Sequence, residues 1–95
     1  MKVIVQAPVY EFARRLAPEQ RRATKAALRA LREEQGDIQP LEGNLAGYYR
    51  LRTGKFRLSF RYSSSATIEA VMLEERGIVY DVFAEQFLAR LRQSL

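Results

Sequence analysis

Cysteine and histidine are both absent from the 95-residue sequence. Without cysteine the chain has no disulfide framework and no thiolate nucleophile, so we expect a reducing cytoplasm as its location. Without histidine the usual zinc sites are excluded, and so is every mechanism that uses an imidazole base. We therefore expect a protein that works without a metal or any other cofactor.

Long apolar runs are lacking as well. No segment approaches the roughly 20 apolar residues that a membrane span needs, so we expect no membrane partner. Residues 1–12 lack the apolar region of a signal peptide. The composition, 47% hydrophobic and 28% charged, is typical of a folded soluble protein. The length suits one domain that spans residues 1–95.

Acidic residues are missing between Glu42 and Glu69. This interval contains GYYRLRTGKFRLSFRY, residues 47–62, which carries five basic side chains: Arg50, Arg52, Lys55, Arg57 and Arg61. The other 11 of the 16 basic residues are matched by 11 acids, so the net charge of +5 is local to this segment. Charge concentrated in one region attracts anionic partners better than the same charge spread evenly.

Hydrophobic periodicity predicts the element order β-α-α-β-β-β-α. Residues 2–6 have the β-branched composition of a strand, and Pro8 suits the first turn of a helix. Pro18 begins a second helix that runs towards Gly36, the predicted C′ residue. Residues 36–44, rich in Gly and Pro, are predicted to form a loop. The last helix is predicted from a shared apolar face: Phe83, Phe87, Leu88 and Leu91.

The segment 47–62 has a period of two on both sides of Thr53-Gly54, which predicts a β-hairpin, and residues 67–73 predict a further strand. The fold class is therefore α+β. An N-terminal helical hairpin packs on one face of a twisted, mostly antiparallel four-stranded sheet, with a C-terminal helix added. Phe56, Leu58 and Phe60 are predicted to face the helices. The opposite face then carries the arginines of the hairpin: Arg50, Arg52, Arg57 and Arg61.

Two interpretations of the arginine-bearing face remain open at this point. It is either a solvated hairpin face whose arginines lie against tyrosine rings, or a surface that binds anions. The lack of acids nearby in the sequence favours the second, since arginine is a planar bidentate donor to phosphate. Four tyrosines are candidates to stack on unpaired bases: Tyr48, Tyr49, Tyr62 and Tyr80. A basic stripe on the second helix is interpreted as a solvated face, with a nucleic-acid footprint as the alternative: Arg21, Lys25, Arg29 and Arg32.

Two segments carry a resemblance to a known family. LEGNLAGYYRLRTGKFRLSF, residues 41–60, and RGIVYDVF, residues 76–83, resemble successive motifs of the RelE/ParE superfamily of toxins from bacterial toxin–antitoxin systems, RelE-like rather than ParE-like. The resemblance implies a ribosome-dependent endoribonuclease that cuts mRNA. Its implied partners are a cognate antitoxin protein, the ribosome and mRNA.

The resemblance also implies roles for individual residues. Arg57 matches the arginine that contacts the scissile phosphate, and Tyr80 and Arg76 match the late catalytic pair. Arg50 and Arg52 match basic residues that bind RNA, with Lys55 and Arg61 in the same hairpin. Ionising Tyr80 at pH 7 from a reference pKa near 10 costs about 4 kcal/mol. We therefore expect such an enzyme to depend on positioning by the ribosome.

Glu74 and Glu75 depart from the family pattern, which commonly has basic residues just before the late arginine. Either these acids pair with nearby arginines, or one of them acts as a general base. The departure keeps two rival functions open. One is a ParE-like, non-enzymatic inhibitor of DNA gyrase, and the other is a degenerate toxin that binds only its antitoxin.

Overall fold

The computed structural model describes residues 1–75 and residue 89. The elements in chain order are β1 (Lys2–Val5), α1 (Ala7–Ala13), α2 (Pro18–Arg32), β2 (Asp37–Pro40), a 3₁₀ turn (Gly43–Leu45), β3 (Tyr49–Thr53), β4 (Phe56–Ser64) and β5 (Thr67–Glu75). The predicted C-terminal helix, with Phe83, Phe87, Leu88 and Leu91, lies outside the described residues. Neither α1 nor α2 is long and apolar enough to cross a membrane.

The five strands form one sheet in the order β1-β5-β4-β3-β2. β1 pairs parallel with β5, and the other pairs are antiparallel. The α+β class, with two helices packed on a mostly antiparallel sheet, is confirmed, but the predicted count of four strands is wrong. The extra strand is β2, which falls in the predicted loop. It pairs with β3 alone at the sheet edge, where a terminal Pro40 is tolerated.

The end of α2 differs from the prediction that Gly36 is its C′ residue. Glu34 takes the left-handed conformation, with φ of 54°. The N–H groups of Glu34 and Gln35 donate to the carbonyls of Leu31 and Ala30, which is the Schellman pattern. Gly36 is needed for a different reason. Its φ is 112°, and a Cβ there would lie 2.7 Å from Leu51 Cδ1.

The core lies between the helices and one face of the sheet. Two features of α2 set its start: Pro18 at the first turn, and the Gln20 side chain, which accepts the Ala17 N–H at 3.2 Å. The buried cluster is Val9, Ala27, Leu31, Leu51, Phe56, Leu58, Phe60, Ile68, Ala70 and Leu73. Each fully buried side chain of Leu or Phe size contributes about 1.5–3 kcal/mol.

A hydrogen bond from Tyr62 to Glu34 links the sheet to the end of α2. The Tyr62 hydroxyl donates to Glu34 Oε2 at 2.9 Å, and partial burial and this bond raise the pKa of Tyr62 above 10. A raised pKa means that the stabilisation is fully present below pH 10 and is lost as pH rises through the folded-state value. We expect Tyr62→Phe to cost about 0.5 kcal/mol at pH 8 and less than that at pH 11. Urea unfolding at both pH values measures the difference in free energy of unfolding between the wild type and Tyr62→Phe. The same difference at pH 8 and pH 11 would contradict this expectation. Tyr10→Phe, on a ring that is 66% exposed, is the control.

Candidate functional site

Three of the predicted RNA-binding and catalytic residues lie together on one face of the sheet. Leu51 and Leu58 point into the core. Their neighbours in the strands therefore project from the opposite face of the sheet: Arg50, Arg52 and Arg57. Arg52 lies directly opposite Arg57 in the β3–β4 pair. We call this side of the sheet the arginine face. The placement follows from the period of two that the sequence shows.

A cleft of about 740 Å³ opens on the arginine face between Arg50, Arg52 and Arg57 on one side and residues 39–45 on the other. We call it the arginine cleft. Leu41 and Leu45 are buried, and the Leu41 N–H donates to the Tyr48 carbonyl at 2.8 Å. These contacts hold residues 39–45 as a fixed wall. The volume is within the range of sites that bind small ligands, roughly 300–1,000 Å³.

The charge of the arginine face is partly compensated, contrary to the expectation from local sequence. Arg50 Nη1 lies 3.5 Å from Asp37 Oδ1 and donates to the Asp37 carbonyl at 3.1 Å. Asp37 is on β2 and lies opposite Arg52 in the register. The acid therefore comes from a neighbouring strand and not from the hairpin itself. It holds Arg50 at the cleft in a defined orientation.

Arg61 and Lys55, two further predicted RNA-binding residues, do not line the arginine cleft. Arg61 Nη2 donates to Glu69 Oε2 at 3.1 Å, and Glu69 also accepts from Gln6 at 2.9 Å. The hydrogen bond that Arg61 donates to Glu69 is the main reason that the pKa of Arg61 is raised. Lys55 lies in the two-residue turn between β3 and β4, with Nζ 5.9 Å from the centre of the Phe56 ring. Arg61 therefore links β4 to β5, and Lys55 lies against the hairpin.

Glu74 and Glu75 lie on opposite faces of β5. Glu74 is opposite Arg57 in the register and is 7% exposed. Glu75 is exposed and lies opposite Phe56, whose side chain belongs to the core. The register places Glu74 on the arginine face, and it separates Glu75 from that face.

Two of the four candidate tyrosines are not available for base stacking beside the arginines. Tyr49 stacks on Phe60 with ring centres 5.6 Å apart, and Tyr62 meets the edge of Tyr49 at 5.4 Å, all on the helix side of the sheet. For Tyr49 and Tyr62 these contacts favour packing within the sheet over base stacking beside the arginines. Tyr48 lies beside Arg61 and contributes weakly to its raised pKa. Tyr80 and Arg76, predicted as catalytic, lie outside the described residues.

The polar residues of the cleft wall were not predicted from the sequence as part of the site. Gln39, Glu42 and Asn44 line the cleft together with the arginines. Their segment was predicted as a loop from its Gly and Pro content, and nothing local indicates which hairpin face it covers. Within residues 1–75 and 89, no group of three or more Asp or Glu is placed to hold a metal ion.

Comparison with known proteins gives a consistent result at the level of structure. No protein-family model and no curated protein matches the sequence. The YoeB/ParE toxin from Agrobacterium tumefaciens is similar, with TM-score 0.66 and 25% identity over 80% of this chain and 99% of that one. The toxin–antitoxin complex RelBE2 from Mycobacterium tuberculosis contains a chain with TM-score 0.69 and 23% identity, over 79% of this chain and 96% of that one. This chain has the RelE/YoeB toxin fold.

A further solved structure with the RelE/YoeB fold matches nearly the whole length of this chain. The isolated RelE toxin of E. coli matches with TM-score 0.64 and 16% identity, over 95% of this chain and 97% of RelE. The resemblance that the motifs predicted is therefore confirmed in three dimensions. In the RelE/YoeB fold of this chain, the arginine cleft lies on the sheet face opposite α1 and α2.

Proposed function

We propose that this chain is the toxin of a toxin–antitoxin system and cleaves mRNA on the ribosome. One observation carries the proposal: Arg50, Arg52 and Arg57 line a single cleft in a chain with the RelE/YoeB fold. A guanidinium offers a planar fork of donors that matches phosphate and stays charged at any relevant pH. Three such groups at one wall are suited to an RNA backbone.

The cleft supplies the electrostatic part of RNA cleavage. When the 2′-hydroxyl attacks, negative charge develops on the phosphorane oxygens, and preorganised donors at that place are usually the largest single catalytic contribution. Arg57, on the central strand β4, is the residue we assign to this charge. Proton transfer stays with the predicted pair, Tyr80 and Arg76. Arrangement of the substrate is assigned to the ribosome.

A second basic surface supports a large polyanionic partner such as the ribosome. Helix α2 exposes five basic side chains within one sector of its surface: Arg21, Arg22, Lys25, Arg29 and Arg32. Among the described residues, none of the five forms an ion pair. α2 packs on the sheet face opposite the arginine cleft, so the chain can contact RNA on two sides. Its proposed protein partner is an antitoxin, as in the RelBE2 complex.

The salt dependence of binding to a short single-stranded RNA measures how many phosphates the chain contacts in total. With three contacts, the slope of log K against log salt is expected to be about −2. Affinity should then fall about twentyfold between roughly 50 and 200 mM salt. Fluorescence anisotropy with a labelled, non-cleavable oligonucleotide provides the slope. A slope near zero would contradict phosphate binding at the cleft.

Primer extension on a translated mRNA tests the proposed activity. We expect new stops, each marking a new RNA 5′ end inside the reading frame, when ribosomes are present and none on the same mRNA alone. A DNA gyrase supercoiling assay runs beside it, because Asp37 lies opposite Arg52 and Glu74 lies opposite Arg57, and these acids reduce the attraction of the arginine face for RNA. Gyrase inhibition without mRNA cleavage would favour the non-enzymatic function. Neither activity, in a folded protein that binds an antitoxin, would identify a degenerate toxin.

A further inference from the structure

Glu42 is the only acid among the described residues that line the arginine cleft. It is exposed, and within residues 1–75 and 89 its carboxylate forms no ion pair and no hydrogen bond. Asp37, on β2, differs in this respect, since its carboxylate lies 3.5 Å from Arg50. Glu42 therefore adds negative charge to the cleft without neutralising an arginine. Charge repulsion makes this placement unfavourable for a ligand that consists of phosphate alone.

The backbone that carries Glu42 is held by contacts on both sides. Leu41, the residue before it, is buried and donates its N–H to the Tyr48 carbonyl. The Glu42 carbonyl accepts the N–H of Leu45 at 3.1 Å. The Glu42 side chain takes no part in these contacts and does not cap the 3₁₀ turn. Its carboxylate is therefore presented to the cleft from a fixed point of the wall.

The two walls of the arginine cleft offer opposite hydrogen-bonding groups. Arg50, Arg52 and Arg57 on one wall are donors only, and the Glu42 carboxylate on the other is an acceptor only. A ligand that fits both walls has an anionic group at one end and hydrogen-bond donors at the other. A nucleotide has this form, with its phosphate at one end and its base at the other. The cleft, at about 740 Å³, is of the size that binds small ligands.

Guanine is the base whose hydrogen-bonding edge best matches a carboxylate. In single-stranded RNA the Watson–Crick edges of the bases are open to recognition. Guanine presents two adjacent donors there, N1–H and N2–H, which can bind both oxygens of one carboxylate. Adenine and cytosine present one amino group beside a ring nitrogen that accepts, and uracil presents one N–H between two carbonyl oxygens. An acceptor that faces a carboxylate is left unpaired and is repelled, which disfavours these three bases.

We propose that Glu42 is a specificity-determining residue, which selects guanine in the arginine cleft by accepting its N1–H and N2–H groups. The proposal rests on the proposed function, because it takes single-stranded RNA as the ligand. The arginines bind phosphates of any sequence, and Glu42 decides which base lies beside them. A bidentate contact between a side chain and a base discriminates by at least about fivefold in affinity.

Fluorescence anisotropy with four non-cleavable oligonucleotides tests the base preference. They are uridine-rich 2′-O-methyl strands that differ only in one central nucleoside: guanosine, uridine, inosine or 7-deazaguanosine. Inosine lacks the N2 amino group, whereas 7-deazaguanosine keeps the Watson–Crick edge and lacks N7. We expect the guanosine and 7-deazaguanosine strands to bind at least about fivefold more tightly than the uridine strand, with inosine between them. Equal affinities for guanosine and inosine, or for 7-deazaguanosine and uridine, would overturn the proposal.

Glu42→Gln tests whether the carboxylate is the source of the preference. A glutamine amide has one acceptor oxygen, and its NH₂ group meets a guanine donor, so the preference for guanosine over uridine should fall below about twofold. The uridine strand should bind at least as tightly as it does to the wild type, because a negative charge has been removed. Glu11→Gln makes the same charge change at an exposed position of α1 and should keep the wild-type preference. A full preference in folded Glu42→Gln would refute the role of Glu42.

The salt dependence of the same titrations separates this proposal from the proposed function. Salt-dependent binding of all four strands without a base preference would overturn the guanine proposal and leave phosphate binding by the chain intact. A guanosine preference that depends on Glu42, in a protein that cleaves no mRNA on ribosomes, would support the guanine proposal and overturn the proposed cleavage activity alone. Failure of every strand to bind would overturn both.

Discussion

Arg57→Ala is expected to reduce the single-turnover rate of mRNA cleavage on programmed ribosomes on the order of 10²–10³-fold. Arg57 lines the arginine cleft and lies on β4, between Arg52 of β3 and Glu74 of β5. We propose that its guanidinium stabilises the charge that develops on the attacked phosphate. Removal of one such preorganised donor lowers the rate without a comparable loss of substrate binding. Quenched-flow cleavage at saturating ribosomes separates the two effects.

Two matched variants make the Arg57 result specific. Arg57→Lys keeps the charge but loses the planar fork, so its rate should lie between wild type and Arg57→Ala. Arg14→Ala removes the same group from an exposed site at the end of α1 and should leave the rate unchanged. Circular dichroism must show that each variant is folded, because Arg57→Ala changes the residue that lies opposite the buried Glu74 in the β4–β5 pair. Cleavage by folded Arg57→Ala at the wild-type rate would refute the assigned role of Arg57.

Phe60→Ala is expected to have the largest effect on stability, a loss of about 3–5 kcal/mol. Phe60 is 0% exposed on the central strand β4, and its ring packs against Tyr49 at 5.6 Å and Tyr62 at 5.9 Å. Truncation removes the transfer free energy of the ring and leaves a cavity between the sheet and its aromatic neighbours. Since the free energy of unfolding of a domain of this kind is only about 5–15 kcal/mol, the variant should be partly unfolded in mild denaturant.

Urea unfolding measures the effect of Phe60→Ala, with the wild type, Phe60→Leu and Tyr10→Ala as controls. Phe60→Leu keeps much of the buried volume and should cost clearly less than Phe60→Ala. Tyr10→Ala changes a ring that is 66% exposed and should stay within about 0.5 kcal/mol of wild type. A loss below about 1 kcal/mol for Phe60→Ala would show that Phe60 is not at the centre of the core.

The faces of the central hairpin could be predicted from sequence because a strand has a strict period of two. Leu51 and Leu58 alternate with Arg50, Arg52 and Arg57, and one buried face fixes the register. The structure places the two sets as predicted. The two helices were predictable for the same reason, since the starts at Pro8 and Pro18 are local signals. Features that depend on a short stretch of sequence, namely the strand faces and the helix starts, were therefore predicted correctly.

Features that depend on pairing between distant segments were not predictable. Asp37 reaches Arg50 because β2 pairs with β3, and the hairpin sequence contains no sign of this acid. β2 has few strand-forming residues and exists because β3 offers an edge. Glu34 adopts a positive φ although Gly36 is near. Helix α2 ends at Arg32 with Glu33 as its C-cap, so Glu34 is the residue that follows the cap. In each case tertiary context overrides the local preference.

NMR mapping of a bound, non-cleavable oligoribonucleotide tests the central claim, that the arginine cleft is where RNA binds. We predict that saturating oligonucleotide shifts the side-chain Nε–H signals of Arg50, Arg52 and Arg57, while those of Arg14 and Arg15 stay in place. The same three signals should be unaffected by an uncharged analogue with methylphosphonate linkages, since the contacts are to phosphate. Signals that shift elsewhere on the chain, with those of Arg50, Arg52 and Arg57 unchanged, would contradict the account.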